Sequence, residues 1–245
     1  SKVIHIAADP MYTMVPVRGF PADISLTCPA DIGFRALIPA MAQHEKAGAA
    51  KIAMRRDKAV KAHGELEEAW QSKLDKEKDQ SPITPAYLSH CLNQLRDPDT
   101  IVVRESPLMQ QYIDIDRPGT MLNAGAASGL GHGMGVALGA QMAAPDKLVI
   151  GTEGDGAYMF NVPVSCHYVA AEQNLPILWV VFNNQHWQAV RRSTVGLEPD
   201  GYAAKANRQP LTHFTVDQRY EKAVEVSGGA GFRVTEPGDL MATLD

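Results

Sequence analysis

The pattern of apolar and polar positions separates a sparse opening from a regular remainder. KVIHIAADP (2–10) and DISLTCP (23–29) each place a short apolar run before turn residues and read as two strands. ADIGFRALIPAMAQHEKAG (30–48) reads as a helix capped by Asp31. Two strands and one helix cannot bury a core by themselves, so residues 1–50 are expected to be the trailing end of a domain that begins elsewhere. Residues 51–80 carry mixed charge at helical spacing with few large apolar side chains, which predicts an exposed helical linker.

From residue 81 the pattern becomes regular. SPITPAYLSHCLNQL (81–95) predicts a helix with Thr84 as cap and Pro85 in its first turn. DTIVVRES (99–106), KLVIGTEGDG (147–156) and LPILWVVFNN (175–184) have the β-branched runs of buried strands. Between them, AASGLGHGMGVALGAQMAA (126–144) reads as a glycine-rich turn feeding a helix, and VPVSCHYVAAEQN (162–174) as a helix. DQRYEKAVEVSG (217–228) predicts another helix and GFRVTEP (231–237) a last strand. Such alternation implies an α/β fold with a doubly wound parallel sheet over residues 81–245. No internal repeat interrupts it.

The 245 residues carry a formal net charge of −5, which argues against a general nucleic-acid or anionic-membrane binder. Cys28, Cys91 and Cys166 are far apart, form no CxxC and suit a reducing compartment. No stretch has the length of a membrane span and the first residues lack the order of a signal peptide, so a cytoplasmic protein with a small-molecule ligand is expected.

Ligands of parallel sheets bind at the carboxyl ends of the strands. Three clusters fall there: Glu105–Ser106, Gly154–Asp155–Gly156 and Asn183–Asn184. Asp155 and Asn184 offer hard oxygen atoms, which suit Mg²⁺ when phosphate oxygens complete the shell. Glycines beside Asp155 allow close approach to the backbone, and a helix starting near 159–162 would point N–H groups at a diphosphate. Taken singly, GDG reads more readily as a tight turn and NN as the start of a loop. SGLGHGMG (128–135) contains glycines that fit a dinucleotide fingerprint, yet DIDRPGTMLNAGAA before it is no convincing buried strand and no acidic residue ends a strand about twenty positions on.

GDG at 154–156, twenty-six residues and then NN at 183–184 resembles the thiamin-diphosphate (ThDP) motif. GLGHGMGVALGAQMAAPDKLVIGTEGDG is similar to the stretch that precedes that motif in the acetolactate synthase, benzoylformate decarboxylase and pyruvate oxidase group, and residues 1–50 resemble the end of that group's Rossmann-like central domain. The resemblance implies a carboxyl-terminal half with the ThDP-binding fold. Asp155, Asn184 and the main-chain carbonyl of His186 would hold Mg²⁺. Gly154 belongs to the same motif, and Gly156, Ala157 and Tyr158 would present backbone groups to the diphosphate. Leu130 would prop the cofactor in its bent form, with Ser128, Gly129 and Leu130 along the aminopyrimidine and Glu105 and Ser106 contributing at the diphosphate. A bent cofactor sets its own amino group beside the thiazolium C2, which can then attack a 2-oxo acid and hold the carbanion left by loss of CO₂.

Departures qualify that picture. Pro107 and Leu108 stand where the group often has hydroxyl residues, Gly135 replaces a usual proline, and 189–214 is longer than the usual connection and reads as a surface loop or a mobile cover over the site. No segment resembles the amino-terminal domain that supplies an activating glutamate, so a pyrimidine-binding domain or chain is an expected partner, together with a homodimer or homotetramer. No residue of 1–245 is assigned a catalytic role. FAD in the central domain stays open, as does the alternative of a non-catalytic subunit or paralogue that keeps the fold.

Overall fold

The structure is a computed structural model that describes residues 2–14, 21–105, 107–123 and 129–244. The chain divides into two compact units, Ser1–Glu68 and Ala69–Asp245. The boundary falls inside a long helix.

In the first unit β1 (Ile4–Ala7) and β2 (Ile24–Thr27) pair in parallel, Ile4 opposite Ile24. Helix α1 (Ala30–Ala42) follows. Its N-cap is Pro29, not the expected Asp31, because Pro29 at φ −54° already sets the entry of the chain; Asp31 lies in the first turn. Helix α2 (Glu45–Glu77) is longer at its start than the pattern of 51–80 suggests.

In the second unit the end of α2 packs first: Leu74 is buried with Ala86 and Tyr112, and the Tyr112 hydroxyl donates to the Trp70 carbonyl at 3.0 Å. Helix α3 (Pro85–Leu95) starts as its sequence demands, with Pro85 at N1 and the Thr84 hydroxyl accepting from Tyr87 N at 3.2 Å. Strands β3 (Ile101–Glu105), β4 (Met121–Asn123), β5 (Val149–Gly154) and β6 (Ile177–Phe182) form one parallel sheet in the order β4-β3-β5-β6. The three-residue β4 lies in the stretch that reads as no convincing strand, and it pairs only along the edge of β3.

Alternation along the strands builds two cores. Val102, Ile150 and Phe182 join Leu92 of α3 on one face. Ile101, Val103 and Val149 join Ala137 and Ala140 of α4 (Gly133–Ala143) on the other. The doubly wound parallel arrangement expected from the sequence is therefore present in this unit.

The remaining helices are α5 (Asp155–Phe160), α6 (Pro163–Glu172), α7 (Gln188–Leu197), α8 (Tyr202–Lys205) and α9 (Leu240–Leu244). Thus α5 begins at Asp155, earlier than the 159–162 expected, and 189–214 carries α8 and all but the first residue of α7. The helix expected over 217–228 is replaced by single 3-10 turns at Tyr220–Lys222 and Glu225–Ser227. Glycines explain it: Gly228 sits at φ +81°, and a Cβ on Gly231 would overlap the Glu221 carbonyl, so the chain doubles back tightly. The strand expected over 231–237 does not form. Among the described residues no ladder partner reaches it, and a groove of about 880 Å³ lies between residues 230–235 and β6. No helix among the described residues is long and apolar enough to cross a membrane.

Candidate functional site

Parallel register gathers the site. Glu105 pairs with Glu153, and Gly154 with Phe182, so the residues that follow these positions leave the sheet at one edge. Asp155 opens α5 directly after β5, and Asn184 follows β6 by two residues.

Asp155 is 2% exposed. Its Oδ1 accepts from Gly156 N at 2.8 Å, and its Oδ2 accepts from Asn184 N at 3.1 Å and Gln185 N at 2.5 Å. Gln185 has φ 58°, a left-handed conformation that turns two consecutive N–H groups toward one anion. Among the described residues no Lys, Arg or His side chain pairs with Asp155. Burial pushes its carboxyl above the ordinary aspartate value, against these backbone N–H groups.

A carboxylate has about four lone-pair directions, and backbone donors occupy three of those on Asp155. The Asn184 Oδ1 accepts from His186 N at 2.9 Å, one of its two lone pairs. The Asn184 Oδ1 keeps one lone pair, and a cation at Asp155 would share its oxygens with the backbone donors, the His186 N–H among them. Among the described residues no group of three or more His, Cys, Asp or Glu side chains gathers as a metal site; a site of one carboxylate, one amide oxygen and one main-chain carbonyl is of another kind.

The base of 189–214 is tied beside Asn184. His186 and His213 form an antiparallel bridge, with His213 Nδ1 3.0 Å from His186 Nε2 and His186 Nδ1 2.6 Å from the Asn184 carbonyl. Trp187 N donates to the Thr212 carbonyl and Phe214 N to that of Gln185. The Trp187 ring fills the space beside Gly156, where a Cβ would stand 2.5 Å from its Cε3. Gly156 is required by this chain's own packing, whatever else approaches it.

Glu105 ends β3 and is 7% exposed. Its Oε1 accepts from Gly131 N at 2.6 Å and its Oε2 from Gly133 N at 2.7 Å. Asn161 Nδ2 lies 3.3 Å from both Glu105 Oε2 and Glu153 Oε2. Glu153, fully buried, presses its carboxyl against that of Glu105; burial and then the Glu105 charge push it up to about 10, so that it holds its proton. Burial pushes Glu105 up as well, but the Gly131 and Gly133 N–H groups, with Glu153 and Asn161, bring it below the ordinary glutamate value. Neither Glu153 nor Asn161 belongs to a motif in the sequence. An acidic residue inside the apolar run VIGTEG was the available signal.

Gly129 and Leu130 lie on the turn before α4, and Leu130 is half exposed. Ser106 and Ser128, also expected at the site, lie outside the described residues. Ala157 and Tyr158 are buried in α5. The Tyr158 hydroxyl is 2.6 Å from His167 Nε2, and its ring meets that of Tyr220 edge-on. Burial, then the charges of Asp155 and Asp217, push the Tyr220 hydroxyl up to about 12.

A family model described as the C-terminal TPP-binding domain of thiamine pyrophosphate enzymes matches residues 105–245. The chain belongs to this family. It is 30% identical over 171 residues to a probable acetolactate synthase of Mycobacterium bovis, covering 68% of this chain and 29% of that protein. It is 32% identical over 151 residues to the 2-hydroxyacyl-CoA lyase of Arabidopsis thaliana, covering 60% and 24%. The thiamine diphosphate-dependent 4-hydroxybenzoylformate decarboxylase of Rhodococcus jostii RHA1 shares the fold, with a TM-score of 0.56 and 24% identity over 67% of this chain and 30% of that one. The chain thus spans less than a third of these relatives. Membership in a family of TPP enzymes implies thiamine diphosphate as the cofactor.

Proposed function

We propose that this chain supplies the diphosphate- and Mg²⁺-binding half of a ThDP-dependent decarboxylase or carboligase acting on 2-oxo acids. One observation carries the reading: at the carboxyl edge of the sheet, in a TPP-binding domain, a buried Asp155 is held by the backbone of Asn184 and Gln185 without a cationic side chain. Asp155 and Asn184 would hold the ion through side-chain oxygens and His186 through its main-chain carbonyl. The backbone of Gly156, Ala157 and Tyr158 lies beside it at the start of α5. When bound, ThDP supplies a carbon nucleophile that adds to a 2-oxo acid and accepts the electron pair left by CO₂.

This chain's residues would orient that group and hold the Mg²⁺ that offsets the charge of its diphosphate. Leu130, exposed on the turn before α4, would support the bent cofactor. Activation of the aminopyrimidine is assigned to a glutamate of an amino-terminal pyrimidine-binding domain, in cis or on a second chain, and the working unit proposed is a homodimer or homotetramer. The relatives named as acetolactate synthase and 2-hydroxyacyl-CoA lyase support the reaction class. The test separates binding from chemistry. The 245-residue chain should bind ThDP with Mg²⁺ weakly and release no CO₂ from pyruvate or benzoylformate, and adding the pyrimidine-binding domain should start turnover. CO₂ release by the chain alone, shown partner-free by mass spectrometry, would overturn this division of roles. Absence of ThDP binding under any condition would favour a subunit that keeps the fold without the chemistry.

A further inference from the structure

We propose that Glu105 is a positioning residue: its carboxylate fixes the turn 129–133, and with it Leu130, by accepting the amide N–H groups on either side of His132. The inference rests on the ThDP reading for its functional consequence, but its structural part stands alone.

The start of α4 needs outside help. His132 occupies the N-cap position and makes no side-chain capping bond, so the first N–H groups of the helix depend on other elements. Glu105 supplies acceptors from β3: its Oε1 accepts from Gly131 N, just before the cap, at 2.6 Å, and its Oε2 from Gly133 N, the first of the helix, at 2.7 Å. Asn161 completes the set, accepting from Met134 N at 3.2 Å while its Nδ2 donates to the Ala157 carbonyl at 2.9 Å. A carboxylate beside a helix start is also favoured by the helix dipole. Both Glu105 oxygens are therefore engaged with the chain itself.

The backbone conforms to the clamp. Gly131 lies at φ +85°, and a Cβ on Gly133 would stand 2.9 Å from Glu105 Oε2 and overlap Glu153 Oε1. Leu130 precedes the first clamped amide by one residue, which leaves it exposed on a backbone that has little freedom. Through Asn161 the same carboxylate is joined to α5, the helix that begins with Asp155. Glu105 thus ties the turn carrying Leu130 to the element carrying the cation-binding aspartate.

Glu105→Gln keeps the shape and one acceptor oxygen but opposes the second N–H with an amide donor. In the full chain without cofactor, amide exchange at Gly131 or Gly133 should accelerate about tenfold while the β5 amides keep their rates, as expected for loss of one local hydrogen bond. The methyl resonances of Leu130 should shift or broaden, and those of Leu92 in the core should not. Glu105→Ala should show the larger effect on the same signals, with Glu105→Gln as partial rescue; if Glu105→Ala fails to fold, Glu105→Gln decides. Adding ThDP with Mg²⁺ to the wild type should move the Leu130 methyls, and that response should shrink in Glu105→Gln. Wild-type exchange at both glycines in Glu105→Gln would overturn the clamp, as would a uniform loss of protection that includes β5. If the clamp results hold and the wild-type Leu130 methyls ignore ThDP, the ThDP reading fails and the structural assignment stands.

Discussion

Glu105 and Asp155 leave neighbouring strands at the same edge of one sheet, both buried and both held by backbone N–H groups, yet their acidities move in opposite directions. Glu105 has two amide donors, the Asn161 side chain and a protonated Glu153, and its charged form is favoured. Asp155 has donors from Gly156, Asn184 and Gln185, and its charged form remains disfavoured by burial. The count of hydrogen bonds does not decide whether a buried charge is satisfied. What decides is the balance of desolvation against every neighbouring dipole and charge. Glu105 is satisfied by the chain's own donors, whereas burial outweighs the donors around Asp155.

The largest effect on the Glu105 side should come from Gly133→Ala. Its new methyl would collide with Glu105 and Glu153, and about 3 kcal/mol of stability should be lost in urea unfolding, the upper range for overpacking. Gly135→Ala, two residues on and facing open space, should instead be neutral or stabilise by up to about 1 kcal/mol through helix propensity. Equal losses at the two glycines would remove the argument for a specific clamp.

Glu153→Gln should cost little in urea unfolding below pH 4.5, where the acid is protonated in both states, and should stabilise at neutral pH, where folding of the wild type takes up a proton. Glu105→Gln should instead loosen the 129–133 turn locally by unpairing a charged acceptor from its N–H donor. The pH dependence sharpens this. The folded protein retains the Glu153 proton up to about 10, whereas the unfolded chain releases it near the ordinary glutamate value of 4.5, so the folded form binds more protons between them. This contribution is complete below the unfolded value and is lost as pH rises through the folded one. Glu153→Gln should therefore flatten the fall in stability between pH 4.5 and about 10. An unchanged slope would place the proton elsewhere.

Much of the frame was legible from apolar runs. IVVRE, VIGTEG and ILWVVF became β3, β5 and β6, and Thr84 with Pro85 started α3 as their chemistry requires. The meeting of Asp155 with Asn184 was also foreseeable, since parallel strands bring distant segments to one edge. The Glu105–Glu153–Asn161 cluster was not, because it depends on the register of β3 against β5 and on where α5 ends. Likewise, helical spacing over 217–228 gave no warning that Gly228 and Gly231 would fold the segment back on itself. Local pattern fixed these elements only where no long-range contact opposed it.

The central proposal is that Asp155 helps to hold a divalent cation on which diphosphate binding depends. Calorimetric titration of ThDP into the wild-type chain and into Asp155→Asn, each with Mg²⁺ and with a chelator, tests it most directly, with circular dichroism to verify folding. The wild type should bind only with the ion present, and Asp155→Asn should weaken that binding by about 100-fold or more, since it removes the one anionic ligand from a hard-cation site. Equal affinity in the two proteins, or wild-type binding indifferent to Mg²⁺, would contradict the account.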